Sequence, residues 1–345
     1  MLHIQQEIAE QPEVIARLLT EQRDNVRRIA QAIRDFNPAF VSIAARGTSD
    51  NAGRYAQYLM GIEANLPVAL ATPSVHTLYQ SPPNLSKALV ICISQSGQSP
   101  DVKQVIVDAR AQGALTLSIT NAPDSPVAQA AEYHLPIMAG EEISIAATKT
   151  YTAQLAAVAM LVAELMDNAQ LKADLIHLPD FMRETLVLSE PIARWTERYR
   201  YIERYASVGR GYNYCTAIEI SLKIKELCYI PGEQYSEADF RHGPIAIVQP
   251  GFPMVITAVQ GKTFSGMMDL LEKLHERRAE CLVISNEPEA LNLAQNPMPI
   301  PGAQPEWLTP ITAVVPGQIF AMNLALVKGH SVDKPEGLTK VTNTL

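Results

Sequence analysis

Cysteine is scarce in this chain and its few copies are scattered. Cys92, Cys215, Cys228 and Cys281 form no CxxC pair, and each sits in or beside an apolar run, so buried free thiols in a reducing compartment are expected rather than disulfides. Long apolar runs are missing too. The most apolar stretch, Leu155–Ala163, is far short of the ~18 residues of a membrane span. The opening segment, Met1 to Phe36, carries charges throughout and lacks the pattern of a cleaved leader, so a soluble cytoplasmic protein is expected. Basic excess is absent: 28 Lys and Arg face 36 Asp and Glu, for a net charge of −8. That disfavours a nucleic-acid surface, which needs clustered cations to displace counterions. It leaves room for a small anion, since a few local donors bind one phosphate. No His/Cys cluster has metal-ligand spacing, and no cofactor is implied.

What is present suffices for two filled cores. The chain has 345 residues, 47% apolar and 19% charged, more than one compact core takes up. Ile4 to Phe36 has a helical pattern, with Ile15, Leu18, Leu19, Val26, Ile29 and Ile33 on one face. Phe40–Ala44 predicts a buried strand, followed by a glycine turn at Gly47 and a helix from about Asp50. Leu89–Ile93 predicts a second strand, a helix follows from about Asp101, and Leu115–Thr120 predicts a third. This alternation defines an α/β fold with parallel sheets covered by helices on both faces. The pattern recurs: Ala45-Arg46-Gly47 is echoed by Gly209-Arg210-Gly211, and Leu115–Thr120 with Asn121 by Cys281–Ser285 with Asn286, at nearly one spacing. A duplicated unit follows. The expected organisation is an N-terminal helical segment (1–36), a first module (37–170), a helical connector (171–194), a second module (195–332) and a tail (333–345).

Two clusters carry chemistry. Ser94-Gln95-Ser96-Gly97-Gln98-Ser99 follows a strand and precedes a helix, a place where hydroxyls, backbone N–H groups and the helix dipole all favour an anion. Gly47-Thr48-Ser49 ends a neighbouring strand and adds two hydroxyls. Helix capping needs only one such residue, so the cluster predicts a phosphate site. The second half has Gln260-Gly261-Lys262 after its strand Met254–Val259, without the serines. The other cluster is Glu219, Lys223 and Glu226, which share one helical face among apolar neighbours. It fits either a solvated ion-pair stripe or a buried reaction centre. His242 lies just before the rigid turn Gly243-Pro244, where a structural histidine is the commoner outcome.

Together with Ala147-Thr148-Lys149 and the tail Asp333…Leu338-Thr339-Lys340, these pieces make the chain resemble, over essentially its whole length, the isomerase domain of glucosamine-6-phosphate synthase, built from two tandem sugar-isomerase (SIS) modules. The resemblance implies that Ser94, Gln95, Ser96 and Ser99 bind phosphate, with Gly47, Thr48 and Ser49 nearby, and that Arg46, Ala146 and Ala147 lie around the sugar. It implies that Glu226 moves a proton between C1 and C2, that His242 opens the ring from the neighbouring subunit of a homodimer with shared sites, and that Lys340 forms a Schiff base, supported by Glu219 and Lys223. A desolvated place beside Lys223 is expected to activate Lys340, on a tail with too few apolar residues to anchor itself. Arg46 stands where the synthases typically have cysteine and Ala147 where they have serine. The synthases' glutaminase domain and its exposed cysteine have no counterpart, residue 2 being Leu2, so no ammonia source of its own is expected. Arg46–Asp50 resembles the Arg-Gly-[Ser/Thr]-Ser-Asp motif of the alternative, SIS-type glucosamine-6-phosphate deaminases. The expected function is therefore deamination of glucosamine 6-phosphate to fructose 6-phosphate. The alternatives are an ammonia-dependent synthase, a phosphorylated-ketosamine deglycase, or a non-catalytic sugar-phosphate sensor, the last disfavoured by an N-terminal segment too short for a DNA-binding domain.

Overall fold

The computed structural model describes residues 2–340. The chain divides into two compact units. The N-unit comprises Glu13–Glu142, Lys149–Leu178 and the chain from Thr339; the C-unit comprises the residues through Pro12, Ile143–Thr148 and Pro179–Leu338.

The N-unit is built on five parallel strands, β1 (Phe40–Ala44), β2 (Val68–Leu70), β3 (Ala88–Ser94), β4 (Leu115–Thr120) and β5 (Tyr133–Pro136), in the order β2-β1-β3-β4-β5. Every residue of β3 and β4 is buried, as expected of central strands covered on both faces. The strands alternate with helices Thr48–Glu63 and Pro100–Ala111, the latter packing Val102, Val105 and Ile106 against Val90 and Cys92. Helix Lys149–Leu165 is buried along its full length. It contains the apolar stretch Leu155–Ala163, which is therefore the signature of a helix apolar on all sides inside a core.

The C-unit repeats the plan with β6 (Tyr205–Gly209), β7 (Gly232–Ser236), β8 (Pro253–Thr257), β9 (Glu280–Ser285) and β10 (Asn296–Pro299), all parallel, in the order β10-β9-β8-β6-β7. Read from the other edge this is the N-unit order, second strand, first, third, fourth, fifth. Helix Tyr214–Cys228 follows β6 and packs on the last helix, Thr309–Lys328. Contact is close enough that a Cβ on Gly317 would lie 2.4 Å from Ile220 Cγ1, so only glycine fits there. Thr309–Lys328 corrects one expectation. Among the described residues the span Glu306–Lys328 is the one long and apolar enough to cross a bilayer, and 78% of its 18-residue apolar window is buried within the fold, which makes it a core helix here. All four cysteines are free and buried, and burial pushes the Cys228 and Cys281 thiols up to about 12.

Candidate active site

In a sheet of this order the connections leave in opposite directions from the first and third strands, opening a crevice at their carboxyl ends. In the N-unit the turns flanking it are Arg46–Asp50, after β1, and Ser94–Ser99, after β3. The Ser94 Oγ accepts from the Gly97 N–H at 3.1 Å and the Ser96 Oγ from the Gln98 N–H at 3.3 Å. Each hydroxyl thus uses a lone pair on its own loop and retains its proton for an outside acceptor. Ser99 occupies the cap of helix Pro100–Ala111 without making a side-chain capping bond, so capping does not account for it. The loop is held by backbone bonds from Asn121 N to the Gln95 carbonyl and from Val127 N to the Gly97 carbonyl, both 3.1 Å. Gly97 has φ +65°, and a Cβ there would lie 2.0 Å from Ser125 Oγ, so the loop requires glycine.

Arg46 binds across the crevice, its Nε and Nη2 donating to Asp101 Oδ2 at 2.8 and 2.7 Å. Asp101 is fully buried in the first turn of the helix that follows the serine loop, so this pair ties the two turns together. Gly47 is exposed and Thr48 half-buried, while Ser49 is buried and its hydroxyl accepts from Gln154 Nε2 at 3.0 Å. Burial raises the Asp50 carboxyl pKa, against the pull of Arg54 and Arg46.

In the C-unit, Glu219, Lys223 and Glu226 line one face of helix Tyr214–Cys228, as the spacing predicts. Lys223 Nζ lies 3.3 Å from Glu219 Oε1 and donates to Glu226 Oε2 at 2.5 Å. The side chains of Glu219 and Lys223 are 0% and 1% exposed, that of Glu226 24%. A solvated stripe is therefore excluded for the first two. Burial acts to lower the Lys223 pKa, but the charges of Glu226 and Glu219 and their hydrogen bonds outweigh it and the pKa is raised. Lys223 is a fixed cation, and Glu226 is the member of the ladder that reaches the surface.

His242 is exposed and caps the short helix Glu237–Arg241. That helix is anchored by the buried carboxylate of Glu237, which forms ion pairs with both Arg210 and Arg241. Sequence reasoning missed Glu237; its signal is the Glu-to-Arg spacing of four within Glu237–Arg241. Ala146 is buried and Ala147 half-buried, on the stretch that counts with the C-unit, whereas Lys149 begins an N-unit helix.

The tail, expected to lack anchors, is held by polar contacts. The Asp333 carboxylate accepts from His3 N and Ile4 N at 3.1 and 2.9 Å, and Glu336 N donates to the Tyr229 hydroxyl at 2.6 Å. Lys340 Nζ lies 2.9 Å from Glu142 Oε2, a partner the sequence did not suggest. Residues 341–345 of the tail lie outside the described residues. Among the described residues no group of three or more His, Cys, Asp or Glu side chains is gathered as a metal requires.

With two copies of one parallel α/β plan, the chain belongs to the SIS domain family, whose profile matches residues 40–164 and 202–328. Among its relatives, glutamine–fructose-6-phosphate aminotransferase (isomerizing) of Pyrococcus horikoshii is 31% identical over 340 residues, covering 97% of this chain and 56% of the relative. The protein of the same name from Thermus thermophilus is 32% identical over 348 residues, covering 97% and 57%. The chain thus spans little more than half the length of these curated relatives. Among solved structures, the C-terminal domain of glucosamine-fructose-6-phosphate aminotransferase from Francisella tularensis superimposes with a TM-score of 0.88 at 25% identity, covering 97% of this chain and 98% of that one.

Proposed function

We propose that this chain is an aminosugar-phosphate isomerase working as a deaminase, which converts glucosamine 6-phosphate and water into fructose 6-phosphate and ammonia. The observation that carries the reading is the Glu219–Lys223–Glu226 ladder, in which two buried charges fix a third, partly exposed carboxylate. A base that shuttles a proton between adjacent carbons needs that placement. The serine loop supports a phosphate anchor, because its hydroxyl protons are left to face an acceptor. Phosphate binding remote from the reacting carbons then orients C1 and C2.

His242 serves ring opening by acid–base exchange. Glu226 removes the C2 proton of the open-chain amino aldose and returns it to C1, which leaves an alcohol at C1 and an imine at C2. The Lys340 amine bonds to C2 and ammonia departs, giving a Schiff base that water hydrolyses to the ketose and free lysine. The exposure of His242 supports its service to a second copy in a homodimer with shared sites. Mixing inactive His242→Ala and Glu226→Gln chains then restores part of the activity, and no recovery despite proven subunit exchange places each whole site within one chain.

A second direction is favoured by the relatives' names: the same steps run backward with free ammonia make glucosamine 6-phosphate. One experiment separates the two. Ammonia release is measured on a panel of hexosamine 6-phosphates, alongside product formation from fructose 6-phosphate and ammonium. Release from glucosamine 6-phosphate supports the deaminase. If there is neither release nor exchange of the C2 hydrogen with solvent, the enzymatic reading fails and a sugar-phosphate sensor replaces it.

A further inference from the structure

Glu142 lies between β5 and the helix Lys149–Leu165, and its side chain is entirely buried. A carboxylate removed from water needs donors and a countercharge. The donors come partly from the first turn of that helix: Thr150 N reaches Oε1 at 3.1 Å and the Thr150 hydroxyl reaches Oε2 at 2.7 Å, at the end where the helix dipole also favours an anion. Both are neutral. The countercharge is Lys340, 198 residues away in sequence, whose Nζ donates to Oε2 at 2.9 Å while its side chain stays 26% exposed. One buried carboxylate therefore joins the start of a core helix to the last described residue of the tail.

We propose that Glu142 is the positioning residue for Lys340, docking the tail amine by this ion pair until substrate draws it away. An amine held against a buried carboxylate is less available to stray carbonyls than one on a free tail. The kinetic part of the proposal rests on the reading of Lys340 as the Schiff-base lysine; the docking itself does not.

The test uses the full chain and reads Lys340 directly. In the unmutated protein, a water-soluble carbodiimide, which joins a carboxylate to an amine in contact, is expected to give a Glu142–Lys340 cross-linked peptide by mass spectrometry. Acetylation of Lys340 by acetic anhydride, measured against exposed Lys273, is expected to rise at least about tenfold in Glu142→Gln and to stay near the original rate in Glu142→Asp, which keeps the charge. In turnover, Glu142→Gln lowers kcat for ammonia release with little change in KM, and adds nothing further to Lys340→Met. No cross-link in the unmutated protein overturns the docking whether or not a variant folds, as does unchanged labelling in a folded Glu142→Gln. If the cross-link and the labelling behave as expected while the unmutated protein releases no ammonia, the docking stands and the proposed reaction falls.

Discussion

At the carboxyl end of β3 the N-unit turns serine hydroxyls onto its own backbone and leaves their protons unclaimed. At the corresponding end of β8 the C-unit meets its own carboxylate: Lys262 N donates to Glu306 Oε2 at 2.9 Å, and a Cβ on Gly261 would fall 2.1 Å from Glu306 Cδ. The two loops share a place in the sheet and a brace. Asn121 N donates to the Gln95 carbonyl, and Asn286 Oδ1 accepts from Gln260 N at 2.8 Å, so in each copy the residue after the fourth strand ties the loop to that strand, by its backbone in one and its side chain in the other. The arginines after the first strands are also alike, Arg46 gripping buried Asp101 and Arg210 gripping buried Glu237. The difference lies in what fills the crevice. A duplicated scaffold keeps its braces, and the copy whose crevice holds a side chain of its own is free to develop a charged ladder on the helix beside it.

Five substitutions press on that contrast. Glu226→Gln is expected to reduce ammonia release by roughly 10²- to 10⁴-fold, as for loss of one placed proton carrier, with a smaller loss of thermal stability than Lys223→Met because its side chain is partly exposed and Glu219 still faces Lys223; equal loss of stability would make it a structural residue. Lys223→Met leaves Glu219 buried without its cation and is expected to cost about 3–5 kcal/mol in urea unfolding. Its pH dependence has a definite sign. The folded pKa of Lys223 lies above the ordinary 10.5, so the stabilisation is fully present below that value and is lost as pH rises through the folded pKa. A gap between the two proteins that closes near neutrality contradicts the assignment.

Ser94→Ala and Ser96→Ala are each expected to raise KM for phosphorylated substrate about 10- to 100-fold, the worth of one hydrogen bond to a charged acceptor, with kcat less affected. Equal use of unphosphorylated glucosamine by the unmutated protein removes the phosphate loop from the account. Glu306→Gln is expected to do least, leaving KM unchanged and stability within about 1 kcal/mol by thermal melting. A KM effect as large as that of the serines makes the C-unit crevice a working site and breaks the contrast.

The central strands were legible because β3 and β9 carry short apolar runs, Ala88–Ile93 and Cys281–Ile284, and β4 alternates Leu and Ile with small hydroxyl residues, all of them buried. The edge strands were not. Val68–Leu70 is only three residues long with none buried, and Asn296–Pro299 contains two prolines, so neither offers a period to read. The last core helix was hidden by Pro310 and Pro316, which break its apolar run on paper and are accommodated in its first turn and interior. In the candidate site, the spacing of the ladder and the serine loop were visible as patterns along one element. Glu142 and Glu306 were not, because their partners lie far along the chain and leave no local mark; Glu237 is marked by its spacing to Arg241, which does not reveal its burial.

The assignment of the residues through Pro12 to the C-unit has a consequence for how the protein is made. Those residues are translated well before the rest of the unit they join, whose strands begin at Tyr205 and whose last helix ends at Lys328. At roughly 5–20 residues per second, the N-unit sheet has emerged and can fold while the opening helix waits tens of seconds for the structure it docks against. A segment translated ahead of its own unit is thus among the last parts of that unit to reach its place, and Lys340, translated after both sheets, must find a carboxylate in the unit whose strands were made before the other's.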